Sequence, residues 1–295
     1  MSSKALTIKR IVIFCIIAFV PFWIIVPIMN AVFGEPIYEC ESAASAVYAL
    51  GVFGMLIPSA ANLITRLITK EGFKNSYLGL NFKGNAKYYI ASALVKIIEL
   101  SVVLLIVWGI MIDGLTFSEA FPFDNINTRM GAFLLQLSAS IIVFSPAFGE
   151  EWGWRGYLMP KLTEVMGRPA AIIVGGIIWG LWHAPLTIAG HNFGTGYDFY
   201  PWGGILIMCI MCTFMNAFLT LLTERTKSIY PASFCHMINN NFSLGIFASI
   251  VCSEAFLAKA EELSGFTIIL WAYLPVLAVT GIVSFVLLLR NKEKA

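Results

Sequence analysis

The chain has 295 residues, of which 59% are hydrophobic and only 12% charged. Soluble domains carry about 25% charged residues, so the composition excludes a soluble protein and implies a polytopic membrane protein. A formal net charge of +2 implies no nucleic-acid partner.

A transmembrane helix needs about 20 apolar residues. Eight segments meet that requirement, and the sequence therefore predicts an all-α integral membrane protein of about eight spans. The first, 11–33, is too long for a signal-peptide core and has no obvious cleavage site, so it reads as a retained span. The second covers 44–65. Between it and the third, residues 70–87 mix Lys70, Lys74, Lys83 and Lys87 with Phe73, Tyr77, Leu78, Leu80 and Phe82. That pattern suits either a segment lying on the membrane surface or a solvated connector. The third span, 88–112, holds Lys96 and Glu99 at i,i+3, which read as a structural ion pair or a snorkelling lysine.

The fourth span, 132–160, contains Glu150-Glu151-Trp152-Gly153-Trp154-Arg155. Charges inside an apolar helix are costly, rare and usually functional. The fifth, 169–189, contains Trp179-Gly-Leu-Trp-His183, followed by Pro185. That proline removes one helix hydrogen bond and frees the Leu181 carbonyl, which suits a wet cavity beside His183. In the sixth, 202–223, Cys209 and Cys212 form a CxxC without further ligands, and packing thiols are the simpler reading than a metal site. The seventh, 230–252, contains His236 and Asn240, flanked by Asn239 and Asn241 as packing residues. The eighth covers 266–289. His191 falls in the loop after span five and reads as structural. Cys40 and Cys252 both fall on the outer side, and no disulfide between them is expected.

Connections are short, so 1–295 reads as one domain without internal repeats. Placing both termini in the cytoplasm puts 15 of the 19 basic residues on the inner side, as positive charge requires. A multi-pass protein of the cell membrane is expected, with lipids as its surroundings. Its oligomeric state is not set by sequence.

Depth arithmetic brings the polar residues together. Glu150 lies 17 residues before Gly167, and His183 lies 16 after it. At 1.5 Å per residue both sit about 24 Å from the turn. His236 and Asn240 enter from the same side, about 14 and 20 Å in. The site is thus expected between spans four, five and seven. Gly149/Gly153 and Gly176/Gly180 are spaced for close helix approach.

Roles follow from chemistry. Glu151 and Arg155 are i,i+4 and pair as supporting residues. Glu150, pointing elsewhere, suits a general base, sharing a water with His183. His236 and Asn240 share a face, and their N–H groups suit an oxyanion hole. The constellation fits peptide hydrolysis by activated water.

These motifs resemble the CPBP family, the type II CAAX endopeptidases or Abi family. Its pattern is Glu-Glu-x-x-x-Arg, then aromatic-x-x-x-His, then His-x-x-x-Asn/Asp. Here the matches are Glu150-Glu151-x-x-x-Arg155, Trp179-x-x-x-His183 and His236-x-x-x-Asn240. Trp179 stands where the family often has Phe. The resemblance covers roughly 50–250, including Asn62 to Gly72, while the first and last spans are generic. It implies an intramembrane endopeptidase in which Glu150 and His183 activate water, while His236 and Asn240 hold the oxyanion. Glu151 and Arg155 match supporting positions.

Family members are commonly labelled metalloproteases. Ligand spacing here favours no metal cofactor; were zinc bound, His183, His236 and Glu150 would supply its ligands. The expected partner is a peptide or protein substrate in the membrane. Eukaryotic relatives cut prenylated CAAX proteins, whereas this compact chain looks bacterial, so a prenylated substrate is not expected. The alternatives are a non-catalytic bacteriocin-immunity or scaffold protein and, ranked last, a proton-coupled transporter.

Overall fold

The computed structural model describes residues 3–290; Lys292 and Lys294, counted above among the inner basic residues, lie outside them. In lipid no water satisfies the backbone, so each amide must bond within its own segment. The described residues are accordingly helical, with no strand among them. The main elements are α1 (Ser3–Phe33), α2 (Ala44–Gly54), α3 (Ile57–Ile68), α4 (Ala86–Ile106), α5 (Ile126–Gly153), α6 (Met159–Met166), α7 (Arg168–Trp182), α8 (Trp202–Thr226), α9 (Tyr230–Asn241), α10 (Leu244–Val251) and α11 (Leu274–Arg290).

All eight predicted apolar segments are helical, yet they are not eight full-length spans. Among the described residues, five stretches are long and apolar enough to cross a bilayer: Ser3–Phe33, Glu41–Ile68, Ala86–Met111, Trp202–Thr226 and Gly265–Arg290. A sixth is reached if Ile126–Ile141 and Phe144–Met166, bent by 52°, count as one. The bend has a cause in Pro146, which donates no backbone bond and crowds the preceding turn.

The predicted fifth and seventh spans fall short. α7 has 15 residues and α9 has 12, about 22 and 18 Å against a hydrocarbon core of about 30 Å. The chain turns at His183 ahead of Pro185, and Ser243 caps a new helix by accepting from the Ile246 amide. Periodic hydrophobicity shows neither break. Both histidine-bearing helices therefore end close to their functional residues.

α8 is the most buried of the long helices and touches α9, which packs on α5. α3 lies outside α5, α4 outside α9, and α8 between α7 and α11. α1 runs along α3 and α6. It is less generic than its sequence suggests, because Phe22 stacks on Trp182 at 4.3 Å and Trp182 Nε1 donates to the Ala18 carbonyl at 3.0 Å. The loop 70–87 is pinned at the polar end of the bundle: Asn81 donates to the Thr226 and Lys227 carbonyls, and Tyr77 accepts from the Ile229 amide. Its Leu78, Leu80 and Phe82 remain exposed. All six cysteines are free.

The glycine pairs make close approaches, each to a specific partner. A Cβ on Gly153 would lie 2.4 Å from Pro58 Cβ and 2.5 Å from the Pro58 carbonyl oxygen, and one on Gly180 would lie 2.4 Å from Cys209 Cα. Backbone cannot yield as a flexible side chain does. Gly153→Ala is expected to destabilise the protein by about 1–3 kcal/mol. This reads as a fall in the thermal unfolding midpoint in detergent, with Gly51→Ala, which meets nothing within 4 Å, as the control.

Candidate active site

Glu150, Glu151, Arg155 and His236 are each at most 3% exposed. Adjacent carboxylates on one helix diverge by about 100°, and the two glutamates accordingly meet different partners. Glu150 Oε2 accepts from the indole N–H of Trp154 at 3.2 Å and of Trp179 at 2.9 Å. Glu151 Oε1 accepts from Arg155 Nη1 at 2.9 Å and lies 2.8 Å from His236 Nδ1. The Arg155 guanidinium also lies over the Trp179 ring, 4.0 Å from its centroid. A π-helical turn at Trp154–Leu158 follows the two glutamates. Such turns add a residue to the helical circuit and recur at functional sites.

The histidine tautomers follow from their partners. His183 Nδ1 lies 2.8 Å from the Trp179 carbonyl oxygen, an acceptor only, so Nδ1 carries the hydrogen. In the neutral ring Nε2 is then left with its lone pair. Trp179 thus orients two groups at once, its indole holding Glu150 and its carbonyl holding His183. His236 Nδ1 likewise donates to the Glu151 carboxylate, which fixes the ring and turns Nε2 away from Glu151.

Asn240 is positioned by a relay from α4. Lys96 pairs with Glu99 in the buried interior, as its i,i+3 spacing suggested, and also donates to the Tyr273 hydroxyl at 3.3 Å. Tyr273 donates to Asn239 Oδ1 at 2.9 Å, and Asn239 Nδ2 donates to Asn240 Oδ1 at 3.1 Å. The Asn240 amide oxygen is occupied, and its Nδ2 has only a long contact to Met55 Sδ at 3.7 Å. Sequence reading had assigned Asn239 to packing; here it aims a neighbour. Tyr273→Phe, which breaks the relay with little change of volume, is expected to lower kcat about three- to tenfold with a near-wild-type unfolding midpoint. The check is steady-state kinetics beside a thermal melt.

Glu150, His183, His236 and Asn240 line one cavity of about 360 Å³. Its other walls include Met55, Met208, Met211 and Met215, and it reaches Tyr38, His191 and Asn192 in the loops. All four predicted catalytic residues are therefore brought together. Glu151 and Arg155 sit behind them, holding His236 and Trp179. The donor roles of Trp154 and Trp179 are not read from the sequence, where Trp179 is only the aromatic position of its motif, because a tryptophan in an apolar helix reads as core. The available signal was spacing: Trp154 lies four residues after Glu150, and Trp179 four before His183.

Residues 132–242, which run through α5 to α9 and contain every one of these motifs, match the family model described as type II CAAX prenyl endopeptidase, Rce1-like. Over that stretch the chain is similar to the CAAX proteases. A curated family relative, CAAX prenyl protease 2 of Methanococcus maripaludis, is 32% identical over 157 residues. The match covers 50% of this chain and 52% of that protein, so the chain spans about half the length of the relative.

Some family members are regarded as metalloproteases, and the donor set can be tested for that. A zinc site needs three or four ligands converging at about 2.0–2.3 Å. Among the described residues no three His, Cys, Asp or Glu side chains converge on one point. As arranged, these groups do not fit a metal ion.

Proposed function

We propose that this chain is an intramembrane endopeptidase that hydrolyses a peptide bond in a membrane-associated protein or peptide with a water activated by Glu150. The observation that carries this reading is a buried carboxylate, held by two indole donors, in one cavity with His183, His236 and Asn240.

Glu150 takes a proton from the attacking water, and the oxygen forms a bond to the substrate carbonyl carbon. His183, with Nε2 free, orients that water and hands a proton onward. The carbonyl oxygen gains negative charge in the tetrahedral adduct. Asn240 Nδ2 donates to it, beside the His236 ring that Glu151 holds in place. Collapse breaks the carbon–nitrogen bond, and the proton taken from water reaches the leaving amine. Glu151 and Arg155 keep His236 and Trp179 in register. No step draws on a metal.

The test is quantitative profiling of peptide termini in host membranes, comparing wild type with Glu150→Gln at equal expression. New termini that depend on Glu150 are expected, and they name substrates. Identical termini from the two membranes would overturn the reading.

A further inference from the structure

Every histidine of the chain, His183, His191 and His236, lines the cavity that holds Glu150. His191 was placed by sequence in a loop. The chain doubles back after α7 and returns it to the cavity, where its ring lies 4.7 Å from that of Tyr38. Asn192 stands beside it on the same wall. The proposed catalytic steps use none of the three.

We propose that Tyr38, His191 and Asn192 form a peptide-binding subsite at the loop end of the cavity, which receives an uncharged internal stretch of the substrate backbone. This rests on the endopeptidase reading above.

Two features make the cluster a site. First, it is rigid. The Tyr38 amide donates to the Ala189 carbonyl, and the His191 amide to the Leu186 carbonyl. Glu39 clamps the facing loop, accepting from the Thr195 amide at 2.7 Å and its hydroxyl at 2.9 Å. Asn192 takes the left-handed conformation, φ 66°, that an asparagine tolerates. A preordered pair of loops loses little freedom on binding. Second, its polar atoms are unused. Neither the His191 ring nor the Tyr38 hydroxyl has a hydrogen-bond partner among the described residues. Polar groups in a largely apolar cavity ordinarily find one.

The chemistry selects the ligand. Burial, and secondarily the His183 ring, push the His191 imidazole down to about 3, and burial pushes the Tyr38 phenol up to about 12. Both stay neutral at physiological pH. Each can donate and accept, as does the amide side chain of Asn192, and a peptide group demands the same pair of functions. The cavity lining contains no Lys or Arg, and its one ionisable carboxyl is Glu150. A free substrate carboxylate finds no cation there.

The experiment uses the full chain in lipid nanodiscs and a pooled library of synthetic lipid-anchored peptides, with free or amidated carboxyl termini, cleavage being read by mass spectrometry. His191→Phe is expected to raise KM about tenfold with kcat within about twofold, while His191→Gln, which restores a neutral donor and acceptor, recovers most of the loss. Tyr38→Phe is expected to move KM in the same direction, and provides the readout should His191→Phe fold poorly. Unchanged KM in both variants, with an active wild type, would overturn the subsite and leave the endopeptidase reading standing. A wild type that cuts no peptide would overturn both.

Discussion

Glu150→Gln is expected to lower kcat by about 10²–10⁴ while the protein stays folded. The change preserves shape, and the amide oxygen can still accept from Trp154 and Trp179, whose indoles hold the carboxylate at 3.2 and 2.9 Å. What disappears is the ability to take a proton from water. KM should change little, because Glu150 meets the water rather than the body of the substrate. Kinetics in detergent, with a melting curve for each variant, check both halves. A glutamine variant with wild-type kcat would remove Glu150 from the role of base. One that loses activity only through unfolding would show a structural role instead.

The second large effect is expected at Glu151. Its carboxylate serves Arg155 Nη1 and His236 Nδ1 together and is fully buried. Glu151→Ala leaves a buried guanidinium without its counter-charge, and breaking such a pair costs about 3–5 kcal/mol. Arg155 Nε and Nη2 already lack partners among the described residues, so no spare acceptor stands ready. The fold should loosen and activity should vanish. The double variant Glu151→Ala/Arg155→Met separates the two losses. Removing the stranded charge is expected to restore most of the unfolding midpoint, and activity should stay low because His236 has lost the carboxylate that fixes its ring. Recovery of both together would mean that Glu151 acts only through stability.

Much of this site is legible in the sequence because charge is scarce in apolar helices. Glu150, Glu151 and Arg155 stand out within span four, and i,i+4 spacing alone anticipates the Glu151–Arg155 pair at 2.9 Å. The same reasoning anticipates the Lys96–Glu99 pair, but not its continuation through Tyr273, which lies 177 residues away from Lys96 in the chain. Span counting was less secure. Hydropathy windows average across the turn at His183 and the cap at Ser243, so two short helices each look like one long one. The place of His191 is not legible, because loop membership says nothing about where a returning chain places a side chain. The donor roles of Trp154 and Trp179 are hidden by their hydrophobicity, since a buried indole serves as packing and as donor at once.

Four methionines, Met55, Met208, Met211 and Met215, face the same cavity as the polar groups. An unbranched thioether turns about three bonds and fits many shapes at small cost. The chamber therefore combines fixed polar anchors with a pliable lining, a division that tolerates varied side chains around an invariant amide. It also carries a chemical vulnerability. On the endopeptidase reading, oxidation of these sulfurs would replace that lining with bulkier, polar sulfoxides and narrow the range of peptides admitted before it touched the proposed acid–base groups.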